Sequence, residues 1–346
     1  MSHSLLELVG HCSMPATDRK PNNFVKSVRF APDGTQVLVT SDDRAARLYA
    51  SADRRLCARL QVDCGDAIYD SAWHPSAHPG ARCFVTSARD HPLRLWDADS
   101  RALRASYVPL DNAFEPTAAV SCAFSDTGAQ LFAGFANRVC IFDVAEPTAA
   151  PRDITTYHRK FRPHGVAGIV SAFAIRGAVY AIGAYGGGIG LLDQRSDEDT
   201  IALFNCAHAG GITQLQFSPN GLYMFSGARK DAHLICWDLR TQTPLCRFRR
   251  HCDTNQRLQF DISPSGEFLL TPSGNQLDVY DLVRGDLVAP APCATRRFAS
   301  AVNSVSMHPE HAVVAVGTGE RQPEPLQLAP DANQLCLLLF RNADSV

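Results

Sequence analysis

His208, Ser226 and Asp231 are the residue types of a hydrolytic triad, in which a carboxylate-oriented histidine activates a hydroxyl. Gly186-Gly187-Gly188-Ile189-Gly190 has the glycine density of a phosphate-binding loop. His74 with His78, and Cys206 with His208 and Cys252, carry metal-ligand atoms. A fourth group is basic: Arg229-Lys230, Arg249-Arg250-His251, Arg296-Arg297-Phe298 and Tyr157-His158-Arg159-Lys160-Phe161-Arg162. Cations mixed with aromatics can engage phosphates and stack unpaired bases. Which of these chemistries the chain can use depends on the elements that carry them.

Those elements repeat. A large apolar residue, often with Pro two places on and Gly two further, recurs at Phe30, Trp73, Phe124, Phe173, Phe217, Ile262 and Met307, with spacings of 43 to 51 residues. A period near 45 with short alternating strands and turn residues is the mark of a WD-type β-propeller. The sequence therefore predicts an all-β, seven-bladed propeller over residues 1–346 as a single unit. In the fifth repeat, strands are expected at Ile212 to Phe217, Leu222 to Gly227, His233 to Trp237 and Pro244 to Phe248. The last repeat is interrupted by a proline-rich stretch at 318–333, which reads as an inserted loop. It also lacks a fourth strand, so residues 1–10 are expected to supply one and close the ring.

This frame reassigns most of the chemistry. His208, Ser226, Asp231 and Trp237 have the spacing of the hydrogen-bonded tetrad common in WD repeats, so their role is structural. The glycine run is followed by strand-like residues, not by a helix N-terminus, and reads as a tight turn. The His and Cys pairs share no recurring spacing, so neither a metal nor a cofactor is expected. Nothing in the chain proposes catalysis.

Composition narrows the partners. Lys plus Arg is 33 against 35 Asp plus Glu, a net charge of -2, which excludes a global pull toward polyanions and leaves only a local patch. Twelve cysteines without a Cys-x-x-Cys pair suit a reducing compartment. No signal-like or membrane-spanning run occurs, so no membrane partner is expected. The basic residues then carry the interest. Arg44, Arg89, Arg138, Arg229 and Lys230 fall in turns between second and third strands, while Lys26, Arg257 and the basic aromatic stretches fall in links between blades. In WD propellers those loops open on one face, whereas the opposite turns here are more acidic, as at Asp193, Asp197, Glu198 and Asp199. Acidic neighbours such as Asp66, Asp90 and Asp253 share the basic loops, and the pattern alone favours a protein partner over a nucleic acid.

Several stretches are more specific than a WD repeat requires. They include Asn23-Phe24-Val25-Lys26, Asp66-Ala67-Ile68-Tyr69-Asp70, Ser87-Ala88-Arg89-Asp90-His91-Pro92 and Gly183-Ala184-Tyr185-Gly186. The longest are Phe225-Ser226-Gly227-Ala228-Arg229-Lys230-Asp231-Ala232 through Arg240, and Thr254-Asn255-Gln256-Arg257. Over about residues 22 to 310 the chain resembles the telomerase Cajal body protein family. The resemblance implies a noncatalytic RNA-binding propeller of the nucleus and its Cajal bodies. Such a protein recognises a short box in hairpin loops of small Cajal-body guide RNAs, in vertebrates also telomerase RNA, and promotes assembly or localisation of the ribonucleoprotein. Larger members carry a long N-terminal extension with no counterpart in these residues. Matching basic loops make Arg229, Lys230, Arg89 and Arg257 the expected phosphate contacts, extended by Lys26 and Arg138, with Tyr69 and Tyr185 as base-stacking candidates. A monomeric propeller with a small guide RNA and ribonucleoprotein proteins as partners is the expectation. The alternative is a protein-interaction scaffold that makes no direct RNA contact.

Overall fold

The computed structural model describes residues 6–340 apart from 16–21, 53–54, 77, 79–80, 112–114, 197–199, 205–207, 286–287, 289 and 321–332. Part of the expected N-terminal strand, most of the 318–333 loop, Cys206 and the acidic stretch 197–199 therefore lie outside the described residues. Among the described residues the strands form seven four-stranded sheets, the blades of a seven-bladed β-propeller.

The chain divides into two compact units, Cys64–Leu245 and Met1–Asp63 with Cys246–Val346. In the first, the second blade is Ile68–Trp73, Cys83–Ala88, Leu93–Asp97 and Leu103–Tyr107. The third is Ser121–Phe124, Gln130–Phe135, Arg138–Asp143 and Arg152–Thr155, and the fourth Val170–Arg176, Val179–Ala184, Ile189–Asp193 and Thr200–Phe204. The fifth has Ile212–Phe217, Tyr223–Ala228 and His233–Asp238, with Thr243–Arg249 as its outer strand. In the other unit the first blade is Val25–Phe30, Gln36–Ser41, Ala45–Ala52 and Arg55–Asp63. The sixth is Asp261–Ile262, Phe268–Ser273, Gln276–Asp281 and Ala294–Arg297. The seventh consists of Val302–Met307, Val313–Thr318 and Gln334–Phe340, and its fourth strand is the N-terminal Leu6–Ser13. That strand runs four residues beyond Val9, antiparallel to Gln334–Phe340, with Leu6 opposite Phe340 and Ser13 opposite Gln334.

Period-two alternation buries large residues between blades. Val85, Leu93, Tyr107, Phe124, Leu131 and Phe142 form one such layer, and Ile189, Phe204, Ile212, Leu215, Met224 and Trp237 another. In the other unit Leu6 joins Leu270, Val279, Val305, Val316 and Leu338. Polar side chains serve the inner-strand backbone between neighbouring blades. Asp70 accepts from the Cys122 amide at 3.2 Å, Asp261 from that of Met307 at 2.7 Å, and Ser304 from that of Val28 at 2.8 Å. Each of these bonds gives an inner-strand amide a partner on the neighbouring blade.

The repeat's glycine and histidine form a latch. Gly34 and Gly128 turn at φ 70° and 76°, where a side chain is disfavoured, and an added Cβ would fall 2.1 and 2.2 Å from His308 Nε2 and His74 Nε2. His74 lies edge-on to Phe124 at 5.1 Å, and His308 is edge-on to Phe30 at the same distance. At His74 and His308 the x of the apolar-x-Pro motif thus packs on the turn of the adjacent blade. Burial lowers the pKa of both histidines; at His74 the Gly128 carbonyl opposes this in part, and at His308 the nearby His311 adds to it.

Candidate nucleic-acid interface

In the fifth blade His208 Nδ1 lies 2.8 Å from Asp231 Oδ2, and His208 Nε2 lies 2.7 Å from Ser226 Oγ. Trp237 Nε1 donates to the same Ser226 Oγ at 2.8 Å. One proton arrangement satisfies every group: Nδ1–H donates to Asp231, the Ser226 hydroxyl donates to Nε2, and the indole donates to Ser226. The distances are those of a hydrolytic triad, yet Ser226 is 0% exposed and one of its two lone pairs is occupied by Trp237. No substrate reaches it, and the network ties the incoming link to two strands. Burial pushes the Asp231 carboxyl up, but His208 and the Ala209 and His233 amides outweigh it and hold the pKa at about 2. The second blade keeps the Trp half of this device, with Trp96 donating to Thr86 at 2.9 Å.

The first blade replaces it with an ion pair. Buried Arg47 bonds Ser41 at 2.5 Å and pairs with Asp43, while Asn23 accepts from the Asp43 amide at 3.1 Å. Burial raises the Asp43 carboxyl, and the Arg47 and Ser41 bonds bring it below its ordinary value.

In Cys64–Leu245 the predicted cations and aromatics meet pairwise. Arg229 and Tyr185 each follow the second strand of a blade, the fifth and the fourth. The Arg229 guanidinium carbon stands 3.7 Å from the centre of the Tyr185 ring, a stacked cation–π pair, and Tyr185 is 40% exposed. The link between them is Gly210-Gly211 because the backbone must pass close by: a Cβ on Gly210 would meet the Arg229 carbonyl oxygen at 2.0 Å. Lys230, at φ 51°, is exposed beside them. Arg89 occupies the equivalent turn of the second blade, and its Nε donates at 3.1 Å to the hydroxyl of Tyr69, which is 37% exposed. That hydrogen bond and the charges of Tyr69 and Asp66 raise the Arg89 pKa. Arg138 is arranged otherwise: it bonds Asp153 at 2.9 Å and lies 4.9 Å over Phe135, so part of its charge is neutralised within its own blade.

The basic aromatic stretch in this unit is ordered around itself. His158 stacks on Phe161 at 4.7 Å, Lys160 lies 5.4 Å over the same ring, and Phe161 is 79% exposed. The glycine run is a turn, with the Ala184 amide bonded to the Gly188 carbonyl at 2.9 Å and strand Ile189–Asp193 after it.

In the other unit Lys26 and Arg257 line one cavity of about 460 Å³ together with Phe24, Asp42, Gln256 and Asn303. The sequence named Lys26 and Arg257 but not the neutral residues between them. Phe24 and Gln256 stood within distinctive stretches, whereas Asn303 carried no sequence signal.

Residues 5–49 and 201–238 match the WD domain, G-beta repeat family. Over 342 residues, 93% of the chain, the sequence is 37% identical to human telomerase Cajal body protein 1. It is 38% identical over 325 residues to the protein of that name from Mesocricetus auratus, and 30% identical over 342 residues to the Drosophila melanogaster homolog. The chain spans 62%, 60% and 60% of the lengths of these three relatives.

Proposed function

The chain belongs, over its propeller, to the telomerase Cajal body protein family, and we propose that it is a noncatalytic RNA-binding member acting in the nuclear Cajal body. Its ligand is a small guide RNA with an unpaired loop, with telomerase RNA in the same class. Its task is to bring that RNA into its ribonucleoprotein.

The observation that carries this reading is the Tyr185–Arg229 stack with Lys230 beside it. A half-exposed ring capped by a guanidinium offers a base a flat surface, and the cation offers its phosphate a bidentate partner. Arg89 held by Tyr69 repeats the pairing of cation and aromatic in the second blade. These sites suit a single-stranded loop, whose bases are splayed and available.

The test is fluorescence anisotropy of a labelled guide-RNA hairpin across a salt series, with wild type and the Arg229→Glu/Lys230→Glu variant. Loss of two phosphate contacts is expected to lower the slope of log affinity against log salt by about 1.4, at about 0.7 per contact on single strands. Unchanged affinity and slope in a folded variant would reject these contacts. Equal melting of the two proteins keeps the comparison clean.

A further inference from the structure

Two residues that line the cavity in the unit of Met1–Asp63 and Cys246–Val346 carry buried polar atoms that the fold leaves unused. Asn303 is 2% exposed, and its Nδ2 donates to the Val25 carbonyl at 2.9 Å and the Gly319 carbonyl at 2.5 Å. Two carbonyl acceptors fix the amide's orientation, because only the NH₂ end can serve both. Its Oδ1 is then buried with no hydrogen-bond partner among the described residues, and Gln256, which also lines the cavity, has its Nε2 buried in the same condition. An unmade buried hydrogen bond destabilises a fold, so two of them on residues lining one cavity point to a ligand that completes them.

The lining selects that ligand. Asn303 Oδ1 needs a donor, which a backbone phosphodiester lacks, and an apolar group would leave both orphans unsatisfied. The carboxylates of Asp42 and Glu320 line the cavity and disfavour an anion inside it, while Lys26 and Arg257 add positive charge to the same lining. A nucleobase presents donor and acceptor side by side on one edge and is attached to a phosphate. Among bases, those with an exocyclic amine supply the larger number of donors to a wall with this many acceptors.

Building on the RNA-binding reading, we propose that this cavity receives one unpaired, amine-bearing base of the bound RNA, with its phosphate met by Lys26 and Arg257. Asn303 Oδ1 accepts from the amine and Gln256 Nε2 donates to the adjacent ring nitrogen.

The experiment compares wild type and Gln256→Leu for binding of labelled 12-nucleotide oligo(rA), oligo(rC) and oligo(rU), with thermal melting of both proteins. The variant removes a buried, unpartnered amide at nearly constant volume, so its melting temperature should equal or exceed the wild-type value. Wild type should prefer oligo(rA) or oligo(rC) over oligo(rU) by about tenfold, the worth of one base-edge contact, and Gln256→Leu should erase that preference. Equal wild-type binding to all three, or a preference that survives in Gln256→Leu, overturns the pocket while salt-dependent binding upholds the RNA reading. A variant that melts well below wild type makes Gln256 structural and also overturns it. Absence of salt-dependent binding to any oligomer removes the RNA reading and the pocket with it.

Discussion

Replacing Ser226 with Ala tests whether the triad-like set is a structural network. Ser226 is fully buried and bridges two groups, Trp237 Nε1 at 2.8 Å and His208 Nε2 at 2.7 Å. Its loss leaves an indole N–H and an imidazole nitrogen without partners in a site closed to water. At about 1–3 kcal/mol for each buried orphan, Ser226→Ala should lose about 2–6 kcal/mol. The double variant Ser226→Ala/Trp237→Phe removes the orphaned indole donor as well and should be less destabilised than the two single losses added together. Urea unfolding followed by circular dichroism measures both, read as the midpoint at constant slope. A Ser226→Ala protein within about 0.5 kcal/mol of wild type would refute the reasoning, as would a stable variant that has lost a hydrolytic turnover shown by wild type.

Other consequences are as direct. His74 and His308 have lowered pKa values, so the unfolded chain binds more protons below pH about 6.5, and stability is complete above that pH and falls beneath it. Each contributes a slope of at most about 1.4 kcal/mol per pH unit; His74→Gln/His308→Gln should show a flatter melting profile between pH 7.5 and 5.5, and parallel profiles would contradict this. Leu6→Ala empties a fully buried position in the N-terminal strand and should cost about 2–5 kcal/mol in denaturant; an unchanged midpoint would show that the strand is dispensable. Tyr185→Ala should weaken hairpin RNA binding by at least about fivefold while Tyr185→Phe retains it, since the ring face carries the stack and Ala keeps none of it. Equal binding by the two variants would remove Tyr185 from the interface.

The blades were legible because their signals are local. Gly34, Gly128, Gly221 and Gly266 mark the repeated turn, and all four have φ between 70° and 77°. The tetrad was legible for the same reason, since His208, Ser226, Asp231 and Trp237 lie within one repeat at fixed spacing. The first-blade variant was hidden by a change of both residue type and position: Arg47 bonds Ser41, which stands opposite Val25 as Ala228 stands opposite Ile212, and Val39 takes the place of Ser226. Strand register hid another contact: Arg138 reaches Asp153 because Arg138–Asp143 pairs with Arg152–Thr155. The cavity depended on distance along the chain. Gln256 lies in a loop and Asn303 in strand Val302–Met307, forty-seven residues on, and an unsatisfied amide leaves no pattern in a sequence.

Direct recognition of a small RNA is tested most plainly by ultraviolet crosslinking of the tagged protein in its own cells, with sequencing of the covalently bound RNA. Enrichment of small hairpin guide RNAs at one shared loop motif is expected, reduced in Arg229→Glu/Lys230→Glu. Copurification of guide ribonucleoproteins with no RNA crosslinked to this chain would contradict it and leave a protein-binding scaffold in its place.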